Sequence, residues 1–79
     1  MDETKIFNKT EIDDALVAST IKEVCTALEE KGYDPINQVV GYLISEDPGY
    51  ISNFKDARNK LTKIERTKIM ETLLKEFIK

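Results

Sequence analysis

Acidic and basic side chains are the residues of this 79-residue chain most able to do chemistry, because it contains no histidine and one cysteine. Asp13 and Asp14 are adjacent, and neighbouring side chains on a helix diverge by about 100°, so these carboxylates do not form a catalytic pair. Nucleophilic catalysis needs a nucleophile beside a matched base. The sequence has no such arrangement, no glycine-rich phosphate loop and no nucleophile elbow. It therefore predicts a protein that is not an enzyme.

The same composition predicts no metal site and no cofactor. Structural zinc is held by thiolates and imidazoles, and Cys25 is expected to be a small buried residue within a helix. Met1-Asp2-Glu3 is acidic and no apolar run follows it, which does not fit a signal peptide. No apolar stretch approaches the ~20 residues needed to cross a bilayer. We therefore expect a cytoplasmic protein that makes no contact with a membrane.

The candidate binding residues are bases in the C-terminal third, above all Arg58, Lys63 and Arg66. Arginine binds phosphate or carboxylate bidentately, and spacings of three and four place Lys55, Arg58, Thr62 and Arg66 on one helix face. Three interpretations are open: a solvated face, an anion-recognition face, or a nucleic-acid-binding face. The net charge of −3 disfavours nucleic acid, as does the absence of aromatic residues among the bases.

Charge is divided unevenly along the chain. Residues 1–33 contain eight acids and four bases, residues 34–52 three acids and no base, and residues 53–79 eight bases and four acids. Such a division suits a chain whose two ends attract each other, or one that presents a basic face to an anion.

Hydrophobic periodicity predicts an all-α fold, a compact bundle of about five short helices. Asp34-Pro35 and Asp47-Pro48 are helix-start signals, and Lys31-Gly32 is a helix-end signal. Residues 1–9 lack periodicity and are expected to be a flexible tail before a helical domain at 10–79. No glycine or proline follows Gly49, so the last two helices are either separate or continuous. The predicted helices cover about 11–31, 35–45, 48–51, 54–63 and 65–78.

The apolar positions of these helices predict the core. In the first helix they are Ile12, Leu16, Val17, Ile21, Val24, Cys25 and Leu28. In the second they are Ile36, Val39, Val40, Leu43 and Ile44. In the C-terminal third they are Leu61, Ile64, Ile69, Met70, Leu73, Leu74, Phe77 and Ile78.

Several polar residues of the central segment have two interpretations. Tyr33, Tyr42 and Tyr50 are either anchors for a partner or half-buried packing residues. The amides of Asn37 and Gln38 must be exposed or hydrogen-bonded, because burying one unpaired costs about 1–3 kcal/mol.

The central segment resembles the IreB family of small regulatory phosphoproteins, also called ReoM. The resemblance is carried by Glu30-Lys31-Gly32-Tyr33-Asp34-Pro35-Ile36-Asn37-Gln38-Val39-Val40-Gly41-Tyr42-Leu43-Ile44-Ser45, then by Asp47-Pro48, Tyr50-Ile51 and Asp56-Ala57-Arg58-Asn59. It implies a compact, five-helix homodimer with no catalytic activity. The signature positions are Tyr33, Pro35, Asn37, Gln38, Gly41, Tyr42, Asp47, Pro48 and Tyr50.

The resemblance also implies how such a protein works. Thr4, in Asp2-Glu3-Thr4-Lys5-Ile6-Phe7, is similar to the threonine that a Ser/Thr kinase with PASTA repeats phosphorylates and a partner phosphatase restores. In the family, the unmodified protein promotes Clp-protease degradation of the enzyme that commits sugar nucleotide to peptidoglycan synthesis. Phosphorylation lifts that effect and contributes to cephalosporin tolerance. The implied partners are a second copy, the kinase, the phosphatase, and the Clp machinery with its adaptor.

The chain departs from the family pattern at three positions. Glu46 stands where the family usually has glycine, and Asn53 and Thr62 stand where it usually has basic residues. Arg58 and Arg66 remain, so the implied phosphate-binding face, which also includes Lys63, has fewer basic residues here than in the family pattern. The alternative function is a small helical nucleic-acid-binding regulator that uses this basic C-terminal face.

Overall fold

The computed structural model describes the backbone of residues 9–79 and the side chains of residues 14–79. The predicted all-α class is confirmed, since the described residues form only helices and turns. Residues 1–8, which include Thr4, lie outside the described residues. The elements are α1 (Lys9–Glu30), α2 (Pro35–Ser45), α3 (Ala57–Thr62) and α4 (Arg66–Ile78), with 3₁₀ turns at Pro48–Tyr50 and Phe54–Asp56.

The described residues thus contain four α-helices where the sequence predicts about five helices. The element expected at 48–51 is a 3₁₀ turn, and the helix expected at 54–63 is a second 3₁₀ turn followed by the six-residue α3. Lys55 and Asp56 both have left-handed φ angles, of 54° and 66°. An α-helix cannot pass through two such residues, so α3 begins only after them.

The helix starts predicted from the two Asp-Pro pairs are confirmed. An Asp34 side-chain oxygen accepts hydrogen bonds from the backbone N–H groups of Ile36 and Asn37, at 3.1 and 3.2 Å. Asp47 accepts one from Gly49 N–H at 2.8 Å. These carboxylates satisfy donors that lack partners in the first turn of a helix. Gly32 ends α1 with a φ of 90°, as expected of a glycine at that position.

The sequence leaves open whether the last two helices are continuous, and the structure separates them. Ile64 N–H donates to the Leu61 carbonyl at 3.1 Å, which closes the end of α3. Glu65 is extended, with a φ of −60° and a ψ of 138°, so α4 starts afresh at Arg66. The break between α3 and α4 was not predictable from helix-breaking residues, because neither glycine nor proline lies there.

The core lies where α1 packs against the other three helices. It also contains Ile51, which follows the first 3₁₀ turn and is fully buried. Cys25, Leu43 and Ile64 are partly buried at its edge. The buried apolar cluster is Val17, Ile21, Val24, Leu28, Val39, Tyr42, Ile51, Ala57, Leu61 and Ile69.

Most of the core predicted for α4 is wrong. Helix α4 packs against α1 through Ile69 and Thr72, which are buried. No element among the described residues covers its opposite side. The residues predicted to be buried there are exposed, and we call them the α4 apolar stripe: Met70, Leu73, Leu74, Phe77 and Ile78.

The apolar pattern of α1 and α2 is likewise only partly buried. Leu16 of α1 is exposed, and Ile12 lies outside the described side chains. On α2, Val39 and the unpredicted Tyr42 face the core. The spacing of apolar residues identifies the apolar side of a helix but not whether another element covers all of it. The exposed residues of α2, which we call the α2 apolar stripe, are Ile36, Val40 and Ile44.

Glu46, which departs from the family pattern, ends α2 in a left-handed conformation with a φ of 67°. Its ion pair with Arg66, at 3.1 Å, is largely exposed and contributes little. We therefore expect Glu46→Gly to raise the free energy of unfolding by about 0.5–1 kcal/mol, because glycine adopts this φ without strain. Urea unfolding checks this, with Ser45→Gly as the helical control that should lose stability.

Candidate interaction surface

The two arginines of the predicted anion-binding face contact the protein's own backbone. Arg58 Nε donates to the Ile51 carbonyl at 3.0 Å. The Arg66 guanidinium donates to the Leu43 carbonyl at 2.9 Å and pairs with Glu46. Both side chains are partly buried. They thus fasten α3 and α4 to the end of α2 and to the turn after it.

Lys63 lies apart from these arginine contacts. It is exposed at the end of α3 and lines a groove beside Leu16 and Val17 of α1. Ile64, Glu65 and Lys68 complete that groove. The structure therefore places Arg58 and Arg66 against carbonyls at positions 51 and 43, whereas Lys63 faces α1.

The family-signature residues meet at the contact between α2 and the first 3₁₀ turn. Gly41 lies directly under the ring of Tyr50, where an added Cβ would come within 2.4 Å of Tyr50 Cδ1. The Gln38 side-chain oxygen accepts a hydrogen bond from Ser52 N–H at 2.9 Å. These contacts hold the turn against α2, so these signature residues join the helix and the turn into one packed unit.

The signature side chains are divided between the interior and the surface. Tyr42 is buried in the core, whereas Tyr33 and Tyr50 are about half exposed. Asn37 is exposed and Gln38 is hydrogen-bonded, as their amide chemistry requires. Tyr42 is thus a packing residue, and Tyr33 and Tyr50 are the two tyrosines that a partner can reach.

Lysines of the C-terminal third pair with acids of α1, as the uneven charge distribution suggests. The Asp14 carboxylate accepts hydrogen bonds from Lys68 and, at 3.0 Å, from Lys75. Lys55 pairs with Glu30 at 2.7 Å, and Lys60 pairs with Glu23. These contacts tie α1 to the second 3₁₀ turn, α3 and α4.

The hydrogen bonds that Asp14 accepts from Lys68 and then Lys75 lower the pKa of its carboxyl below the ordinary 3.8. A lowered folded-state pKa stabilises the protein above the unfolded pKa, and that stabilisation is lost as pH falls through the folded value. Asp14→Asn should therefore be less stable than the unchanged chain at pH 7, with the difference shrinking below about pH 4. Urea unfolding between pH 3 and pH 7 measures this; a difference that does not vary with pH would contradict it.

The Asp14 contacts and the Gly41–Tyr50 contact were missed by sequence reasoning. Asp14 looked like an ordinary acid in the first turns of a helix. The available signal was on α4, where Lys68, Thr72, Lys75 and Lys79 recur at steps of four, three and four. That spacing puts three cations on one helix face.

Neither metal binding nor thiol chemistry is favoured by the residues that the structure describes. No group of three or more His, Cys, Asp or Glu residues within 9–79 is arranged to hold a metal ion. Cys25 is half-buried, and burial together with the nearby Glu29 raises its thiol pKa, which disfavours the reactive thiolate. Over the same residues, no helix is both long enough and apolar enough to span a membrane.

The fold and its surface define a small helical protein whose exposed features are apolar stripes and ionic contacts. The sequence model of the IreB regulatory phosphoprotein family matches residues 2–79, essentially the whole chain. The chain therefore belongs to the IreB family of regulatory phosphoproteins.

Proposed function

We propose that this chain is a non-enzymatic, cytoplasmic phosphoprotein whose partner binding is switched by phosphorylation of Thr4. The observation that carries the proposal is the family match, because it extends from residue 2 to residue 79 and so includes Thr4. A phosphate adds a charge of about −1.5 to −2 at neutral pH. In a segment that already contains Asp2 and Glu3, this is a large local change.

The kinase we propose is a Ser/Thr kinase with PASTA repeats, opposed by a phosphatase. The unmodified protein would promote Clp-dependent turnover of the first committed enzyme of peptidoglycan precursor synthesis. Phosphorylation would relieve that turnover and so raise tolerance of cephalosporins and other cell-wall stress. The partner contacts would involve the Clp machinery or its adaptor.

We further propose that the protein works as a homodimer built on the α4 apolar stripe. Its five large apolar residues are all exposed on one helix, and Phe77 is 85% exposed. Burying such side chains is favourable by about 1.5–3 kcal/mol each. A second copy that presents the same stripe removes both stripes from water at once. It also adds apolar contacts to a domain near the lower size limit for a single core.

The proposed switch is tested by comparing partner binding by Thr4→Ala and Thr4→Glu variants with binding by the unchanged chain, using Clp and adaptor components as bait. We expect Thr4→Ala to bind like the unmodified protein and Thr4→Glu to bind at least about tenfold more weakly, corresponding to about 1.4 kcal/mol. Thr10→Glu, a second threonine near the N-terminus, is the matched control. Equal binding by the two Thr4 variants would contradict the switch.

A further inference from the structure

The side of α4 that is turned towards α1 carries a row of lysines. Lys68, Thr72, Lys75 and Lys79 recur there at steps of four, three and four, and we call these four residues the lysine row. Lys68 and Lys75 both bind the Asp14 carboxylate. A second acid, Glu76, lies 3.3 Å from Lys79. The lysine row thus has three ammonium groups, and among the described residues the carboxylates of Asp14 and Glu76 lie beside them.

A groove runs along this row, lined by Asp14, Ala15, Thr72, Lys75, Glu76 and Lys79. Thr72 is 2% exposed, and its hydroxyl has no hydrogen-bond partner among the residues that the structure describes. A buried hydroxyl without a partner costs about 1–3 kcal/mol. With a rotation of the Thr72 side chain towards the groove, a ligand rich in acceptor oxygens would satisfy this hydroxyl together with the neighbouring ammonium groups.

The direction of the helices brings this groove towards the start of the chain. Leu16 and Val17 of α1 share a groove with Ile64, whereas Asp14, nearer the start of α1, contacts Lys75. Helices α1 and α4 therefore run antiparallel, and the end of α4 lies beside the beginning of α1. Residues 1–8 join α1 at that end.

The segment between Thr4 and α1 is long enough for Thr4 to reach the lysine row. Helix α1 begins at Lys9, five residues before Asp14, which corresponds to about 7.5 Å along a helix. The chain from Thr4 to Lys9 can extend over about 17 Å. A phosphate on Thr4 can thus be placed over Lys75 and Lys79.

We propose that the lysine row on α4 is the docking site for phosphorylated Thr4, with Lys75 and Lys79 as the direct phosphate partners. This rests on the proposed function, in that Thr4 must be phosphorylated in the cell. The phosphate, a dianion with three acceptor oxygens, competes with Asp14 for Lys75 and offers acceptors to Thr72. The alternative receivers are the arginines of the predicted face, Arg58 and Arg66, each of which donates to a backbone carbonyl.

The test uses the full chain with phosphothreonine incorporated at position 4 during translation, so no kinase is required. Phosphorus NMR follows the phosphate between pH 4 and pH 9, beside a synthetic phosphorylated peptide of residues 1–8. Nearby cations favour the dianion, so the second pKa of the phosphate should be at least about 0.5 lower in the full chain than in the peptide. The double variant Lys75→Gln, Lys79→Gln should return it to the peptide's value.

Two matched double variants separate this site from a general effect of charge. Lys55→Gln, Lys60→Gln removes the same charge on the α3 side and should keep the lowered value. Arg58→Gln, Lys63→Gln should also keep it. Docking on α4 is overturned if the full chain titrates like the peptide, or if either control pair also abolishes the shift. Circular dichroism establishes that each variant is folded. The proposed function fails separately, if the cell's kinase leaves Thr4 unmodified.

Discussion

Gly41→Ala is expected to destabilise the protein by about 1–3 kcal/mol, which is the usual cost of overpacking. Alanine elsewhere inside a helix stabilises by about 0.5–1 kcal/mol relative to glycine, so the expected sign is reversed here. The reason is the ring of Tyr50, which an added Cβ would approach to 2.4 Å at Cδ1 and 2.9 Å at Cε1. Urea unfolding of the purified variant measures the effect.

A double-mutant cycle identifies the cause of that loss. In a Tyr50→Ala background the ring is absent, so Gly41→Ala should become neutral or stabilising. The coupling between residues in contact is expected to be about 0.5–3 kcal/mol. If Gly41→Ala destabilises the Tyr50→Ala protein by the same amount as the unchanged chain, the close contact between α2 and the first 3₁₀ turn is not the explanation.

Placing a charge in the α4 apolar stripe should convert the proposed dimer into a monomer. Phe77→Glu and Leu74→Glu each put a carboxylate where two copies would exclude water, and an unpaired charge there is costly. We expect the dissociation constant of the dimer to rise at least about 100-fold, or about 2.7 kcal/mol. Light scattering on a sizing column measures the mass. Both residues are exposed in a single copy, at 85% and 62%, so the fold should survive.

Ile44→Glu is the matched control for this experiment. Ile44 is 78% exposed and belongs to the α2 apolar stripe, so it is comparable in size and accessibility but lies on another helix. The dimer should persist in this variant. If Ile44→Glu dissociates the dimer and Phe77→Glu does not, the interface lies on α2 and not on α4. If the unchanged chain is a monomer at all concentrations, the proposed dimer is contradicted.

Local signals explain why much of the fold was predictable. Asp34 and Asp47 each precede a proline, and each accepts backbone hydrogen bonds inside its own turn. The information for such a cap lies within three residues of sequence. The start of α2 followed from these signals, and Gly32 marked the end of α1 in the same way.

What depended on distant residues was not predictable. Phe77 and Ile78 have the spacing of core residues, yet no described element packs over them. The spacing of apolar residues alone does not show whether another element covers them. Arg66 donates to a carbonyl 23 residues earlier in the chain, a contact that the spacing of the basic residues does not reveal. Asp14 pairs with lysines 54 and 61 residues away; the charge distribution and the lysine spacing on α4 suggest attraction between the ends of the chain, but they do not identify Asp14 as the partner.

If a phosphate on Thr4 controls this protein, the kinase must transfer it to that residue. The purified chain is incubated with ATP and the kinase domain of the organism's PASTA-repeat kinase, and the N-terminal peptide is then analysed by mass spectrometry. The account predicts one added phosphate, located on Thr4, and an unmodified peptide from the Thr4→Val protein. An unmodified Thr4 in the unchanged chain, or equal phosphorylation of the Thr4→Val protein at another residue, would contradict it.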